Sequence, residues 1–152
     1  SFITKNKITV IIDYAHTPDA LENVLKTINK IRTVGQRLIT VVGCGGDRDT
    51  KKRPLIGNLV SELSSYVIFT SDNPRSENPN EILNQILLGV SVANSKKTDV
   101  IVKREKAIEA AYKYSDTGDI VLIAGKGHEN YQESNGKKIP FDDFEIAKQI
   151  FK

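Results

Sequence analysis

Hydrophobic residues along the chain form short runs rich in β-branched side chains, and these runs alternate with segments of helical period. The runs predict strands at residues 7–13, 37–43, 66–70, 99–103 and 119–125. The segments between and after them predict helices at residues 17–32, 54–64, 78–90, 104–114 and 142–151. Strands that alternate with helices indicate βαβ units, so the pattern predicts an α/β protein built on a mainly parallel sheet.

Turn and cap residues add detail to this outline. Thr17 and Asn78 each precede a proline at the start of a predicted helix, which is the favoured order of cap and first helical residue. The run at 119–125 is apolar almost throughout, as in a strand covered by helices on both faces. Asn135-Gly136 predicts a hairpin, which we expect to add an antiparallel edge strand near the C-terminus. The predicted sheet therefore has about six strands, with helices on both faces.

Composition argues against several classes of function. The chain has 152 residues, a net charge of only +3, scattered lysines and 7% aromatic residues, so a nucleic-acid surface is not indicated. No apolar run approaches ~18 residues, and we expect no membrane span. Cys44 is the single cysteine, which precludes an internal disulfide and fits a reducing compartment. The length suits one domain, 1–152, and a strand almost at the start, without Met, leads us to expect part of a longer protein.

Four polar motifs follow the predicted strands at their carboxyl ends. They are DYAHTPD after the first strand, GCGGDRD after the second, SDNPR after the third and GKGHEN after the fifth. In an open parallel sheet, ligands bind just beyond these ends. We therefore expect the four loops to form one site.

The loop GCGGDRDTKKRP has the composition of an anion site. Its glycines permit close approach of the backbone, and a helix N-terminus follows. Positive charge comes from Arg48, Lys51, Lys52 and Arg53. A flexible loop with solvated charges explains the same residues, so both interpretations stay open. The chain has no G-x-x-x-x-G-K-[ST], and this is therefore not a phosphate loop of the Walker type.

SDNPR predicts a stiff loop that aims an arginine. Pro74 fixes its own φ and biases Asn73 towards an extended backbone, while Asp72 can bond the backbone or hold Arg75. A guanidinium aimed in this way suits the two oxygens of a carboxylate. A turn that merely precedes a helix is the alternative interpretation.

The other polar residues of these loops carry weaker signals. GKGHEN resembles the anion loop in character, with Lys126 between two glycines, and Glu129 offers a carboxylate to a ligand ammonium. A simple strand-end turn explains the motif as well. Asp13 suits ribose hydroxyls and His16 suits stacking on a base, but both are also common structural residues. Two histidines and one cysteine are too few for a convincing zinc site. We expect Cys44 to be a small buried residue rather than a catalytic thiol.

The segments DYAHTPDAL, GCGGDRDTKKRP, SDNPRSE and IAGKGHENYQ occur in this order and spacing in the Mur ligases, and the chain resembles the member that adds the third residue of the peptidoglycan stem peptide. The resemblance covers essentially the whole chain, as the Rossmann-like C-terminal domain of a three-domain cytoplasmic enzyme. That enzyme activates the free carboxylate of UDP-MurNAc-L-Ala-D-Glu as an acyl phosphate, which the amine of a diamino acid attacks. ATP and Mg²⁺ are implied as cofactors, held mainly by a central domain outside this chain, and the UDP-sugar by an N-terminal one.

The resemblance implies roles for individual residues. Those expected to bind meso-diaminopimelate are Arg48, Asp72, Asn73, Pro74, Arg75, Gly125 and Glu129. Asp13 and His16 correspond to positions near the nucleotide, and no catalytic residue or metal ligand is implied. Meso-diaminopimelate is lysine with a second carboxylate, at the distal end, so Arg75 should favour it over lysine. We expect an isolated domain without ligase activity, and a monomeric enzyme without nucleic-acid or membrane partners.

Two alternatives remain, a lysine-adding ligase of the same family and a stand-alone Rossmann-like nucleotide-binding module. The sequence also departs from the family at one point. Relatives commonly have Asp-Arg where this chain has Lys103-Arg104. The change removes a helix-capping acid and leaves the role of Arg104 open.

Overall fold

The computed structural model describes all residues, 1–152, and contains a six-stranded sheet with the strand order β1-β2-β6-β3-β4-β5. The strands are β1 (Phe2–Ile3), β2 (Thr9–Asp13), β3 (Leu38–Val42), β4 (Tyr66–Phe69), β5 (Thr98–Val100) and β6 (Ile120–Ala124). All neighbours pair in parallel except β1, which runs antiparallel to β2. The parallel arrangement brings the carboxyl ends of β2, β3, β4 and β6 to one edge of the sheet.

Helices cover both faces of the sheet. They are α1 (Pro18–Ile31), α2 (Lys52–Leu63), α3 (Pro79–Leu87), α4 (Val92–Ser95), α5 (Arg104–Tyr114) and α6 (Asp143–Ile150). The buried side chains of α1, α2 and α3 form one apolar cluster with one face of the sheet, and those of α5 and α6 form a second cluster with the other face. Every residue of β3 and β6 is buried, and for β6 the apolar run at 119–125 predicted this.

The two predicted helix N-caps, Thr17 and Asn78, are also correct. The Thr17 hydroxyl accepts a hydrogen bond from the Ala20 amide at 3.2 Å, and the Asn78 side chain accepts one from the Asn80 amide at 2.9 Å. Each helix then begins at the proline that follows. The fold class, an α/β Rossmann-like arrangement, is confirmed.

The position of the antiparallel strand needs correction. The predicted hairpin exists, as β7 (Tyr131–Ser134) and β8 (Lys137–Pro140), but it forms a two-stranded sheet of its own, and the antiparallel edge strand of the main sheet is β1. The hairpin does not extend the main sheet because it lies on the loop after β4, where Arg75 bridges to Ser134. Neither the two-residue β1 nor the four-residue α4 is predicted by periodicity, because both are too short to show one.

No helix is both long enough and apolar enough to cross a lipid bilayer.

Candidate functional site

A cavity of about 350 Å³ lies at the edge where the four motif loops meet. Its lining is mostly polar and consists of Tyr14, His16, Thr17, Cys44, Gly45, Arg48, Asp49, Lys52, Arg53, Ile56, Asp72, Asn73, Arg75, Gly125 and Glu129. Each of the four loops contributes at least two of these residues. The loops after β2, β3, β4 and β6 therefore meet at one cavity. That this cavity is a binding site stays a prediction.

Most of the residues singled out from the sequence lie in this lining. Those that do are His16, Arg48, Asp72, Asn73, Arg75, Gly125 and Glu129. Pro74 and Asp13 do not line the cavity. The backbone of Pro74 packs so closely on Gly46 that a Cβ on Gly46 would collide with the Pro74 carbonyl. Asp13 accepts a hydrogen bond from the Ala15 amide at 2.8 Å and so shapes the turn after β2.

Arg75 is held from several sides. Its backbone has a φ of 51°, in the left-handed region that non-glycine residues seldom adopt. The Arg75 amide donates to the Glu133 carbonyl at 3.0 Å, and the Asn135 amide donates to the Arg75 carbonyl at 2.8 Å. In the side chain, Nε donates to Glu133 Oε1 at 3.2 Å and Nη1 to the Gly46 carbonyl at 3.0 Å. The stiffness predicted from Pro74 is thus largely supplied by the hairpin.

Lys126 is a fully buried cation beside this loop. Its ammonium lies 2.8 Å from Asn73 Oδ1, 3.2 Å from Glu129 Oε1 and 3.8 Å from Asp72 Oδ1. The Asn73 oxygen also accepts from the Glu133 amide at 2.9 Å, and Asn73 Nδ2 donates to Glu129 Oε1 at 3.3 Å. Lys126 therefore compensates negative charge of Asp72 and Glu129 inside the protein. It is not available to an anionic ligand, which corrects the prediction drawn from its place between two glycines.

Asp72 is a largely buried residue of the cavity lining. Its burial raises the pKa of the carboxyl above the ordinary value, although the positive charges of Arg104 and Lys126 oppose this. Gly125 has a φ of 113°, and a Cβ there would lie 2.6 Å from Asp72 Oδ2. Gly125 is therefore required for two reasons, its backbone conformation and the close approach of the Asp72 carboxylate.

The basic residues of the loop after β3 divide into two groups. Arg53 is buried, and it donates to both oxygens of Glu77, at 3.1 Å and 2.6 Å, and to the Gly45 carbonyl. The hydrogen bonds from Arg53 lower the pKa of Glu77. Arg53 thus fixes the loop, which corrects its interpretation as a cation for a ligand. Arg48 and Lys52 are exposed and line the cavity, so their charges remain accessible.

The remaining expectations concern Cys44, His16 and metal binding. Cys44 is buried, and its burial raises the pKa of the thiol to about 12, in agreement with a packing role. The exposed His16 ring stands edge-on to Tyr14, with ring centroids 4.8 Å apart, at the cavity wall. No group of three or more His, Cys, Asp or Glu side chains is placed to hold a metal ion.

Arg104, whose role the sequence left open, lies beneath the site. It is fully buried, and its Nε and Nη2 donate to the two oxygens of Asp143 at 2.8 Å and 2.7 Å. The same guanidinium donates to the carbonyl of Ser71, two residues after β4, and to that of Ala124, the last residue of β6. Lys103, which replaces the capping acid, makes no side-chain cap bond to α5.

The sequence did not indicate Glu133 as a residue that shapes the cavity, and it did not indicate the internal partners of Lys126. Glu133 and Lys126 take their roles from contacts with residues 58 and 53 positions away, respectively. No local pattern encodes such contacts. Chemically, the cavity offers exposed cations, an arginine with unused Nη protons, and the carboxylates of Asp72 and Glu129. This combination suits a small zwitterion that carries both carboxylate and ammonium groups.

Comparison with known proteins places these residues in a family context. Residues 1–127 match the family model described as Mur ligase, glutamate ligase domain. The chain is 50% identical, over 97% of its length, to the UDP-N-acetylmuramoyl-L-alanyl-D-glutamate–2,6-diaminopimelate ligase of Cytophaga hutchinsonii, of which it covers 30%. It is 53% identical, over 93% of its length, to the ligase of the same name from Prochlorococcus marinus, of which it covers 27%.

A solved structure gives the same relationship in three dimensions. A structure described as UDP-N-acetylmuramoyl-L-alanyl-D-glutamate–2,6-diaminopimelate ligase superimposes with a TM-score of 0.91 and 42% identity. The match covers 99% of this chain and 30% of that one. The chain thus spans about 30% of the length of these relatives.

Proposed function

The chain belongs to the Mur ligase family, and we propose that residues 1–152 are the C-terminal, amino-acid-binding domain of a ligase that adds meso-diaminopimelate to UDP-MurNAc-L-Ala-D-Glu in peptidoglycan synthesis. Relatives with about half of their aligned residues identical bear the name of this ligase. Because they are much longer than this chain, the proposal includes further domains that bind the UDP-sugar and ATP.

The observation that carries the proposal is an arginine presented to a cavity that also contains carboxylates. Arg75 has Nη2 free of protein partners, and it shares the cavity lining with Asp72 and Glu129. Lysine and diaminopimelate both carry ammonium groups, but only diaminopimelate carries a distal carboxylate for Arg75. We assign the other contacts with the amino acid to Arg48, Asn73 and Gly125.

Pro74 has a supporting role in this proposal. It does not line the cavity, but its backbone packs on Gly46, whose carbonyl accepts from Arg75 Nη1. Pro74 therefore acts on the ligand through the position of the Gly46 loop rather than by direct contact.

The reaction itself is proposed to take place between this domain and the rest of the ligase. ATP supplies the phosphate that activates the carboxylate of UDP-MurNAc-L-Ala-D-Glu, and the part of this chain is to bind and orient the attacking diamino acid. We place His16 near the nucleotide because its ring is exposed beside Tyr14, and Asp13 because Oδ2 has no protein partner. Mg²⁺ would be held outside this chain. The proposal further includes a cytoplasmic, monomeric ligase without nucleic-acid or membrane partners.

Replacing Arg75 by alanine in the complete ligase tests the site. We expect Arg75→Ala to raise KM for meso-diaminopimelate by the equivalent of about 2–5 kcal/mol, because the distal carboxylate loses its charged partner. Partial exposure of Arg75 and its bond to Glu133 favour the lower part of this range. KM for ATP and for UDP-MurNAc-L-Ala-D-Glu should stay unchanged.

Lys137→Ala provides the matched control, since Lys137 is an exposed cation of the hairpin with no contact to the cavity. Its kinetics should equal those of the unmodified ligase. An Arg75→Ala enzyme with an unchanged KM for meso-diaminopimelate would remove Arg75 from the amino-acid site.

A further inference from the structure

The hairpin β7–β8 forms the outer support of the loop that carries Arg75. Gln132 Nε2 donates to the Asp72 carbonyl at 2.7 Å, and the Glu133 amide donates to Asn73 Oδ1 at 2.9 Å. One residue further along the loop, Pro74 packs on Gly46 instead. Strand β7 therefore binds both loop residues that precede Pro74, Asp72 at its backbone carbonyl and Asn73 at its side chain.

The end of β7 fixes the conformation of Arg75 itself. The Arg75 amide and carbonyl bond to Glu133 and Asn135, and this pair of bonds holds the left-handed φ of 51°. Such a backbone conformation costs energy in a non-glycine residue and persists only where its surroundings impose it. The orientation of Arg75 is thus determined by the hairpin and is not a property of the SDNPR segment alone.

The Glu133 side chain determines which edge of the guanidinium a ligand can use. A guanidinium binds a carboxylate either side-on, through Nε and one Nη, or end-on, through both Nη atoms. Glu133 Oε1 accepts from Nε at 3.2 Å, which closes the side-on edge. The Gly46 carbonyl takes one proton of Nη1 and leaves Nη2 without a protein partner.

We propose that Glu133 is a positioning residue that sets specificity for the amino acid, by holding Arg75 so that its Nη atoms are the part of the guanidinium that receives the distal carboxylate. This inference rests on the proposed function of the cavity. It adds a residue outside the four motif loops, on a hairpin whose outer strand, β8, is fully exposed. Glu133 does not line the cavity, so its effect on the ligand passes through Arg75.

The test uses Glu133→Ala and Glu133→Gln in the complete ligase, with Lys137→Ala as the hairpin control. We expect Glu133→Ala to raise KM for meso-diaminopimelate roughly tenfold, the size of one partly exposed charge-assisted hydrogen bond, while kcat stays unchanged. Glu133→Gln should restore most of the loss, since its Oε1 can still accept from Arg75 Nε. The thermal unfolding midpoints of all three variants should agree.

A double variant separates positioning from a general effect on the hairpin. In the Arg75→Ala background, Glu133→Ala should cause no further rise in KM, because Glu133 acts only through Arg75. Additive losses, an unchanged or lower KM in Glu133→Ala, or a Gln variant as impaired as the Ala variant would each overturn the inference. If Arg75→Ala raises KM and Glu133→Ala does not, the inference about Glu133 fails and the assignment of the cavity stands. If Arg75→Ala itself has no effect, the assignment of the cavity fails with it.

Discussion

Lys126 places a single buried ammonium beside two carboxylates of the cavity lining, those of Asp72 and Glu129. Because Asn73 Oδ1 accepts from both Lys126 and the Glu133 amide, the Asn73 amide group has one orientation, with Nδ2 towards Glu129. A buried lysine beside two carboxylates, Asp72 and Glu129, compensates one of the two negative charges. The negative charge that remains suits a ligand ammonium. This charge belongs to the cluster of Asp72, Lys126 and Glu129 as a whole and not to any one of these residues.

Cys44 provides a residue-scale test of burial at the cavity wall. Its thiol has a pKa of about 12, raised mainly by burial, so it is protonated at pH 8 in the folded chain. Alkylation requires the thiolate, and we therefore expect iodoacetamide to label the folded 152-residue chain far more slowly than the chain in denaturing urea. Mass spectrometry of samples taken over time measures this directly, since the chain has no other cysteine.

The sign of the associated pH effect follows from the direction of the shift. A raised pKa means that the folded state holds the proton more tightly, so this contribution to stability is complete below pH 9.0 and is lost as the pH rises towards about 12. Equal labelling rates with and without urea at pH 8 would contradict the burial of Cys44.

At the scale of elements, Arg104 and Asp143 connect α5 and α6 to the carboxyl edge of the sheet. The pair is fully buried, and Arg104 also donates to the carbonyls of Ser71, just after β4, and Ala124, at the end of β6. A helix at the end of the chain is thereby coupled to the two strands from which SDNPR and GKGHEN emerge. Such a pair fixes the position of α6 relative to α5, since a shift of either helix would leave a buried charge unpaired and would be strongly destabilising.

Breaking this pair should destabilise the fold more than a typical substitution. We expect Arg104→Ala to lower the free energy of unfolding of the 152-residue chain by about 3–5 kcal/mol, because it leaves the Asp143 carboxylate buried and unpaired. Urea denaturation followed by circular dichroism measures the change. Arg104→Met with Asp143→Leu should recover part of the loss, although the carbonyls of Ser71 and Ala124 stay unpaired.

Lys106→Ala, on the exposed face of the same helix, is the control and should change stability by no more than about 0.5 kcal/mol. A loss for Arg104→Ala as small as that of the control would mean that the pair does not hold α6 in place.

At the scale of the whole molecule, the pattern of apolar residues predicted the strands and helices well because burial on a sheet or helix face is a local, periodic property. The edge that carries the site followed from the same pattern, since parallel strands place their carboxyl ends together. The hairpin is different: Asn135-Gly136 predicts that it forms but not where it packs.

The roles of charged residues were the least predictable part. Arg53 and Lys126 look like ligand-binding cations in the sequence, but both are buried on internal partners, Glu77 in one case and Asn73 and Glu129 in the other. Their burial depends on loops that are distant in sequence and meet only in the folded chain. Arg75 was identified correctly as a lining residue, whereas the support from Glu133 required the structure.

The measurement that most directly tests the account is an amino-acid competition assay with the complete ligase. The enzyme receives ATP, UDP-MurNAc-L-Ala-D-Glu and equal concentrations of meso-diaminopimelate and lysine, and mass spectrometry identifies the product. If Arg75 binds the distal carboxylate, the product should contain diaminopimelate almost exclusively, and Arg75→Ala should reduce that preference. Incorporation of lysine as readily as diaminopimelate by the unmodified enzyme would contradict the assignment of this cavity.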